Sequence, residues 1–247
     1  MRKLEAAVHS VAPEQLASCD MTSGFFPDHV DEDDLETRNE VFWAAMIDQI
    51  RRDGFVQPPR RVLDVGCHRG GLLANIAKRW NPDELIGLEP IEEARDRARF
   101  RLAALTRKVV LLHPTEWQRI SEGAVDLVVC HEVLFLLPDL DAFVEQLARV
   151  LSPNGRAYIA AGCHAENPIW ASWRPQLEAM GHRTFDHEPM ALMASAARRQ
   201  LLPSVRPLRD NGWATHDPSR GTFVFPTVTA LLDHQFRHKL LFRLVRV

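Results

Sequence analysis

Between Arg61 and Ala161 the chain alternates short apolar runs with longer stretches whose apolar residues recur at helical spacing. The runs Val62–Val65, Glu84–Leu88, Val109–Leu112, Val125–Cys130 and Arg156–Ala161 are rich in valine, isoleucine and leucine and read as strands. Leu72–Trp80, Ile91–Leu105 and Leu140–Leu151 between them read as helices. Strands that are apolar throughout, rather than alternately, are buried on both faces, which implies a parallel sheet covered by helices on each side. The expected fold class is therefore α/β, doubly wound and mostly parallel. In such sheets, ligands bind at the carboxyl ends of the strands, near the point where strand order reverses.

The flanks are less regular. Pro13, Gly24 and Pro27 break up the first thirty residues, and Asp31-Glu32-Asp33-Asp34 then suits the capped, negatively charged start of a helix of about sixteen residues. Leu35, Phe42, Met46 and Ile50 give that helix one buried stripe. Beyond Cys163, helices are expected over 168–181, 189–202 and Thr227–His238, and a strand over Ser204–Ala214. The closing LLFRLVRV reads as a strand whose Arg243 and Arg246 suit a sheet edge. Residues 1–58 are expected to form a helical cap segment. Residues 59–247 should form the sheet domain, with substrate-cap insertions within about 163–238.

Composition narrows the class. With 247 residues, 46% hydrophobic and 26% charged, the chain can build a substantial core. A net charge of −3 argues against a general nucleic-acid binder. No apolar run is long enough for a membrane span, and the N-terminus lacks a signal-peptide core, so a cytoplasmic setting is expected. The four cysteines form no CxxC pair, and no metal site is expected; His234 and His238 stand four apart but read as a solvent-facing helix. Glu93 and Arg97, also four apart, read as an ion pair on a solvated face rather than as part of a nucleic-acid stripe.

The first strand leads into Asp64-Val65-Gly66-Cys67-His68-Arg69-Gly70-Gly71. A dinucleotide fingerprint would need glycine at 68 as well as at 66 and 71, and His68 tells against it. The second strand ends in Glu89, about twenty residues on, where a carboxylate can accept from both hydroxyls of a ribose. Pro90 and Ile91 follow, and Ile91 could pack on an adenine face.

The stretch VLDVGCHRGG resembles motif I of the class I (Rossmann-like) S-adenosylmethionine-dependent methyltransferases. The longer VDLVVCHEVLFLLPDLDAFVEQLARVLSPNGRAYIA is similar to motifs IV to VI of the small-molecule members. The resemblance covers Val62–Gly162, about two-fifths of the chain. It implies a seven-stranded sheet with an antiparallel C-terminal strand, and methyl transfer from S-adenosyl-L-methionine to a small-molecule acceptor. It also implies cofactor contacts at Asp64, Gly66, Cys67, His68, Gly70, Glu89, Pro90, Ile91, Cys130 and His131. Pro114 stands where the family often has an aspartate, leaving Thr115 and Glu116 as the candidates for adenine. His131 and His164 are the candidate bases, should the acceptor have a proton to lose. Phe25-Phe26, Trp170 and Trp173 could close an apolar lid over the acceptor. A non-catalytic S-adenosylmethionine-binding or regulatory protein is the alternative reading. No nucleic acid or membrane partner is expected, and the oligomeric state, a homodimer included, stays open.

Overall fold

The structure is a computed structural model that describes residues 29–247 apart from 56, 106–107 and 209–222, with side chains from residue 35 onward. Helix α1 (His29–Asp53) precedes β1 (Arg61–Val65), α2 (Gly71–Trp80), β2 (Glu84–Leu88), α3 (Glu92–Leu102) and β3 (Lys108–Leu112). A 3₁₀ turn over Pro114–Arg119 leads to β4 (Val125–His131), α4 (Leu140–Val150) and β5 (Leu151–Ala161). Then come α5 (Trp170–Ala179), α6 (Pro189–Arg198), β6 (Leu201–Pro207), α7 (Val228–Asp233), a π-helical turn over His234–His238, and β7 (Leu240–Arg246).

The seven strands lie in the order β3-β2-β1-β4-β5-β7-β6, and β7 runs opposite to the other six. Alternate side chains divide the core into two layers, as the pleat requires. Leu63, Val128 and Ile159 face Phe143 and Leu147 of α4 and Leu192 of α6. Val62, Val129 and Tyr158 face Met46 and Ile50 of α1 and Ile76 of α2. The stripe expected on α1 is thus buried at Phe42, Met46 and Ile50, the last two wholly inaccessible, and half-buried at Leu35. The helix is longer than expected, 25 residues, and begins at His29, ahead of the acidic run rather than capped by it. Glu93 and Arg97 do pair, at 2.9 Å on the exposed side of α3.

Several boundaries of the C-terminal third move. The helix expected over 189–202 stops at Arg198, because Gln200 adopts a left-handed φ of 59° and Leu201 enters the ladder opposite Arg246. The strand expected at Ser204–Ala214 is β6, Leu201–Pro207; residues 209–214 lie outside the described residues, as do Phe25 and Phe26. The Thr227–His238 helix is α7 continued by a π turn.

The last strand is not an edge. β7 is interior, between β5 and β6, and its arginines are accommodated by partners. Arg243 pairs with Asp53 at 3.4 Å, and Arg246 donates to the carbonyl of Leu151. Asp53, at the end of α1, also accepts from Tyr158 Oη and Gln49 Nε2, both at 2.8 Å, tying the N-terminal helix to the centre of the sheet. Burial pushes the Asp53 carboxyl up, but hydrogen bonds from Tyr158, Arg206 and Gln49 outweigh it and leave the group below its ordinary value.

Candidate active site

β1 pairs with β2 on one side and β4 on the other, so strand order reverses at β1. A cavity of about 280 Å³ opens over these strand ends, near the lower end of the range for small-molecule sites. Successive strands are about 4.8 Å apart, so the ends of β2, β1, β4 and β5 form a row roughly 14 Å long. The cavity follows that row, from Glu89 through Gly66 and His131 to Cys163.

The β2–β1 end is built from the glycine loop. The carbonyl of Leu88 accepts from the amides of both Gly66 (2.8 Å) and Cys67 (3.0 Å), which bends the chain sharply after β1. Gly66 has φ +75°, and a Cβ there would stand 2.3 Å from Val133 Cγ2; glycine meets both demands. Gly70, at φ 76°, leads into α2. His68 is accommodated in a left-handed conformation, φ 47°, with its amide donating to Glu89 Oε2 at 2.9 Å. Glu89 Oε1 accepts from the Ile91 amide at 2.9 Å, so the carboxylate at the end of β2 braces the loop after β1. The sequence reading had given Glu89 only a ligand role.

Asp64 and Glu89 are both buried beside the cavity, and Asp64 Oδ1 has no hydrogen-bond partner among the described residues. Burial, reinforced by the charge of Glu89, raises the Asp64 carboxyl well above its ordinary range. Burial raises Glu89 too, against the opposing pull of the Ile91 amide and of His68. Two adjoining buried carboxyls, one with an idle oxygen, are chemically suited to a ligand that brings hydroxyl and ammonium donors.

The β4–β5 end has a different character. His131 packs on Phe42 (centroids 6.1 Å) and edge-on to Trp43 (6.3 Å), and its Nε2 has no partner among the described residues. Burial, then the charge of Lys239, hold His131 well below the ordinary imidazole value, so it is neutral near pH 7. Glu132, at φ 53°, accepts from the amides of Gly162 (2.6 Å) and Cys163 (3.2 Å) and from the ammonium of Lys239. Burial opposes ionisation of Glu132, but Lys239, followed by the imidazoles of His131 and His234, prevails and sets it at about 2. Lys239 is only 2% exposed, and its ammonium stands 4.3 Å from the centre of the Phe42 ring. His234 is buried and takes an Asn167 amide hydrogen at Nδ1 (2.9 Å), so it does not face solvent as the sequence had suggested. Gly162 leaves room for it, since a Cβ there would meet His234 Cε1 at 2.5 Å.

Of the residues picked from the sequence, Asp64, Gly66, Cys67, His68, Glu89, Pro90, Ile91 and His131 line the cavity. Gly70, Thr115, Glu116, Cys130 and His164 do not. Cys130 points into the hydrophobic layer beneath. Thr115 and Glu116 are engaged in capping their own turn. Thr115 Oγ1 meets His113 Nδ1 at 2.8 Å, and Glu116 accepts from the His113 amide at 2.9 Å. Pro114 and Trp117 are what that turn presents to the cavity. His164 is buried, with Nε2 bonded to the His238 carbonyl at 2.8 Å. Trp173 lines the cavity, edge-on to Phe225 at 4.9 Å and to His234 at 5.0 Å; Trp170 lies behind it, donating to Asp186 at 2.6 Å. The sequence alone assigns no role to Glu132 or to Lys239. A charged residue at each of two strand boundaries was the available signal, but nothing local connects positions 107 residues apart.

An open α/β sheet with a glycine turn at its reversal point and an acidic residue on the next strand defines a nucleoside-cofactor protein. Residues 63–157 match the family model described as "Methyltransferase domain". Ubiquinone biosynthesis O-methyltransferase of Bordetella avium is 30% identical over 156 residues, 59% of this chain and 63% of that protein. Trans-aconitate 2-methyltransferase of Methylobacterium radiotolerans is 34% identical over 100 residues, 40% of this chain and 37% of that protein. The first relatives are matched over only about a third of their own length. Among solved structures, a chain in the complex between the Haloferax volcanii Trm112 methyltransferase activator and the putative methyltransferase superposes with a TM-score of 0.69. It is 18% identical, over 92% of this chain and 98% of that one. Geranyl diphosphate C-methyltransferase of Streptomyces coelicolor gives a TM-score of 0.58 at 16% identity, over 82% and 73%. At such identities the likeness is one of fold. The family match over residues 63–157 and the motif order support a class I S-adenosylmethionine-dependent methyltransferase domain in that part of the chain.

Proposed function

We propose that the protein transfers a methyl group from S-adenosylmethionine to a small-molecule acceptor, a reaction of the EC 2.1.1 type. The observation that carries this reading is the division of one cavity into two chemically distinct ends. The β2–β1 end has two buried carboxyls and an idle Asp64 oxygen beside a glycine turn. Glu89 would take the ribose hydroxyls with the lone pairs left over from the His68 and Ile91 amides, and Asp64 would take a ligand ammonium. Ile91 and Trp117 offer apolar surface for the base. When bound there, the cofactor would supply an electrophilic methyl on a sulfonium to the lone pair of an acceptor held at the other end of the cavity.

The β4–β5 end would hold the acceptor. Phe42, Trp173 and Phe225 form apolar walls that exclude water and orient a small molecule. His131, neutral and with Nε2 unengaged, is the group placed to receive a proton from the acceptor. On this reading α1, within residues 1–58, and the segment about 163–238 act as caps on the sheet domain. The relatives named as O-methyltransferases support a small acceptor.

Calorimetric titration with S-adenosylmethionine, S-adenosylhomocysteine and NAD tests the proposal. The first two should bind in the micromolar range and NAD should not. Failure of both sulfur nucleotides to bind would refute it. A protein that binds them yet yields no methylated product from any small hydroxyl, carboxyl or amine compound would be a binding protein instead.

A further inference from the structure

Lys239 is an unusual residue to find where it is. Lysine is rarely fully buried, and a buried ammonium requires compensation. Its backbone is pinned on both sides: the Lys239 amide donates to the His234 carbonyl and its carbonyl accepts from the Leu208 amide, both at 2.7 Å. The side chain lines the cavity, and Glu132 is its one hydrogen-bond acceptor among the described residues. An ammonium has three N–H groups. Glu132 takes one, and even if the Phe42 face takes another, one remains directed to no protein acceptor.

Glu132, by contrast, is fully engaged. Its Oε1 accepts from the Gly162 amide and from Lys239, and its Oε2 from the Cys163 amide. The carboxylate therefore holds the lysine in place without using up its donors. His131 rests on the same Phe42 ring that Lys239 covers, so the spare N–H and the unengaged imidazole share one corner of the cavity.

Resting on the assignment of this end to the acceptor, we propose that Lys239 is the specificity-determining residue, recognising an anionic oxygen on the methyl acceptor. The acceptor class is a small molecule with a carboxylate or an ionised hydroxyl beside an apolar body. The ammonium donates its spare N–H to that oxygen, and Phe42, Trp173 and Phe225 enclose the rest. For a hydroxyl, the O–H proton passes to His131 and the oxyanion stays paired with Lys239. For a carboxylate, no proton moves.

The test uses matched probes that differ in charge but scarcely in shape: benzoate against benzamide, and 4-nitrophenol against nitrobenzene. Each is titrated with and without S-adenosylhomocysteine. Wild type should prefer the anionic or ionisable member of a pair by about ten- to a hundredfold, as for a charge-assisted hydrogen bond. Preference in the first pair alone identifies a carboxylate, and in the second alone a hydroxyl. Lys239→Met should abolish the preference and Lys239→Arg should keep most of it. Because Lys239→Met strands a buried carboxylate, Lys239→Met/Glu132→Gln supplies a neutral pair of similar bulk. Retained S-adenosylhomocysteine affinity then certifies its fold. Equal affinity within both pairs, or uptake of none of the probes, overturns the proposal, as does a preference that survives in the folded double variant. Missing S-adenosylhomocysteine binding with charge discrimination intact would instead count against the cofactor assignment alone.

Discussion

Replacing Gly66 by alanine tests the physical account of the loop directly, because the structure separates the cost into two parts. One is conformational: at φ +75° an L-residue is strained, by about 1–2 kcal/mol. The other is steric. The new Cβ would lie 2.3 Å from Val133 Cγ2, whereas ordinary contact begins at 3.4 Å, so the valine must retreat by about 1 Å. Overpacking of that kind costs about 1–3 kcal/mol. Gly66→Ala should therefore lose about 2–5 kcal/mol in total. Val133→Ala removes the offending methyl, and its next atom, Cβ, is 3.5 Å away. The double variant should thus recover the steric part but not the conformational part, giving a coupling of about 1–3 kcal/mol. Urea unfolding of the four proteins of the cycle, extrapolated to water, measures it. A coupling below about 0.5 kcal/mol, the range of independent sites, would show that Val133 does not confine Gly66. A calorimetric titration with S-adenosylhomocysteine on the same proteins should show weakened binding in both Gly66 variants, since the strained loop remains.

Other predictions follow from named groups. Glu89→Ala should weaken S-adenosylmethionine by about 1–3 kcal/mol and also free the His68 amide, so hydrogen exchange at His68 should accelerate; unchanged affinity by calorimetry would mean the ribose is held elsewhere. Asp53 has a folded pKa below its ordinary 3.8, so the unfolded chain takes up the proton first as pH falls. Its contribution is complete above that value and disappears as pH drops through the folded one. The stability gap between wild type and Asp53→Asn should therefore shrink as pH falls below about 5 and on through the lowered folded value, and a gap that widens would contradict the assigned partners. If His131 takes the acceptor's proton, its lowered pKa keeps it in the basic form further into acid. The acid limb of kcat/KM should then lie below the ordinary 6.5, and a limb at or above that value would exclude it.

The sheet core was legible because its signals are local. β2 agrees to the residue and β1 to within one, since apolar runs bounded by turns announce themselves. The glycine turn was legible for the same reason. What escaped was decided by contacts distant in sequence. Thr115 and Glu116 could not be known to serve His113 until the turn existed. His164 could not be distinguished from His131 by residue type, and only packing commits it to the His238 carbonyl. Arg243 and Arg246 suggested an edge because charge there is usual. The partners that admit them to the interior, Asp53 and the Leu151 carbonyl, are supplied by other parts of the chain. Lys239 joins the site only because the π turn and β7 return the chain to the end of β5.

The interior place of β7 has a consequence for how the molecule assembles. β6 precedes β7 in the chain, yet β7 is its sole neighbour in the sheet among the described residues. On a growing polypeptide, β6 must wait unpaired, and the flank of β5 stays open, until residues 240–246 arrive to join them. The five strands from β3 to β5, which carry Asp64, Gly66 and Glu89, face no such delay. Folding is thus expected to proceed from the cofactor side outward, and an exposed β5 flank would be the state most prone to pairing with another chain. Lys239, immediately before β7, would reach Glu132 only at the final step, so the β4–β5 end of the cavity would come into being together with the completed sheet.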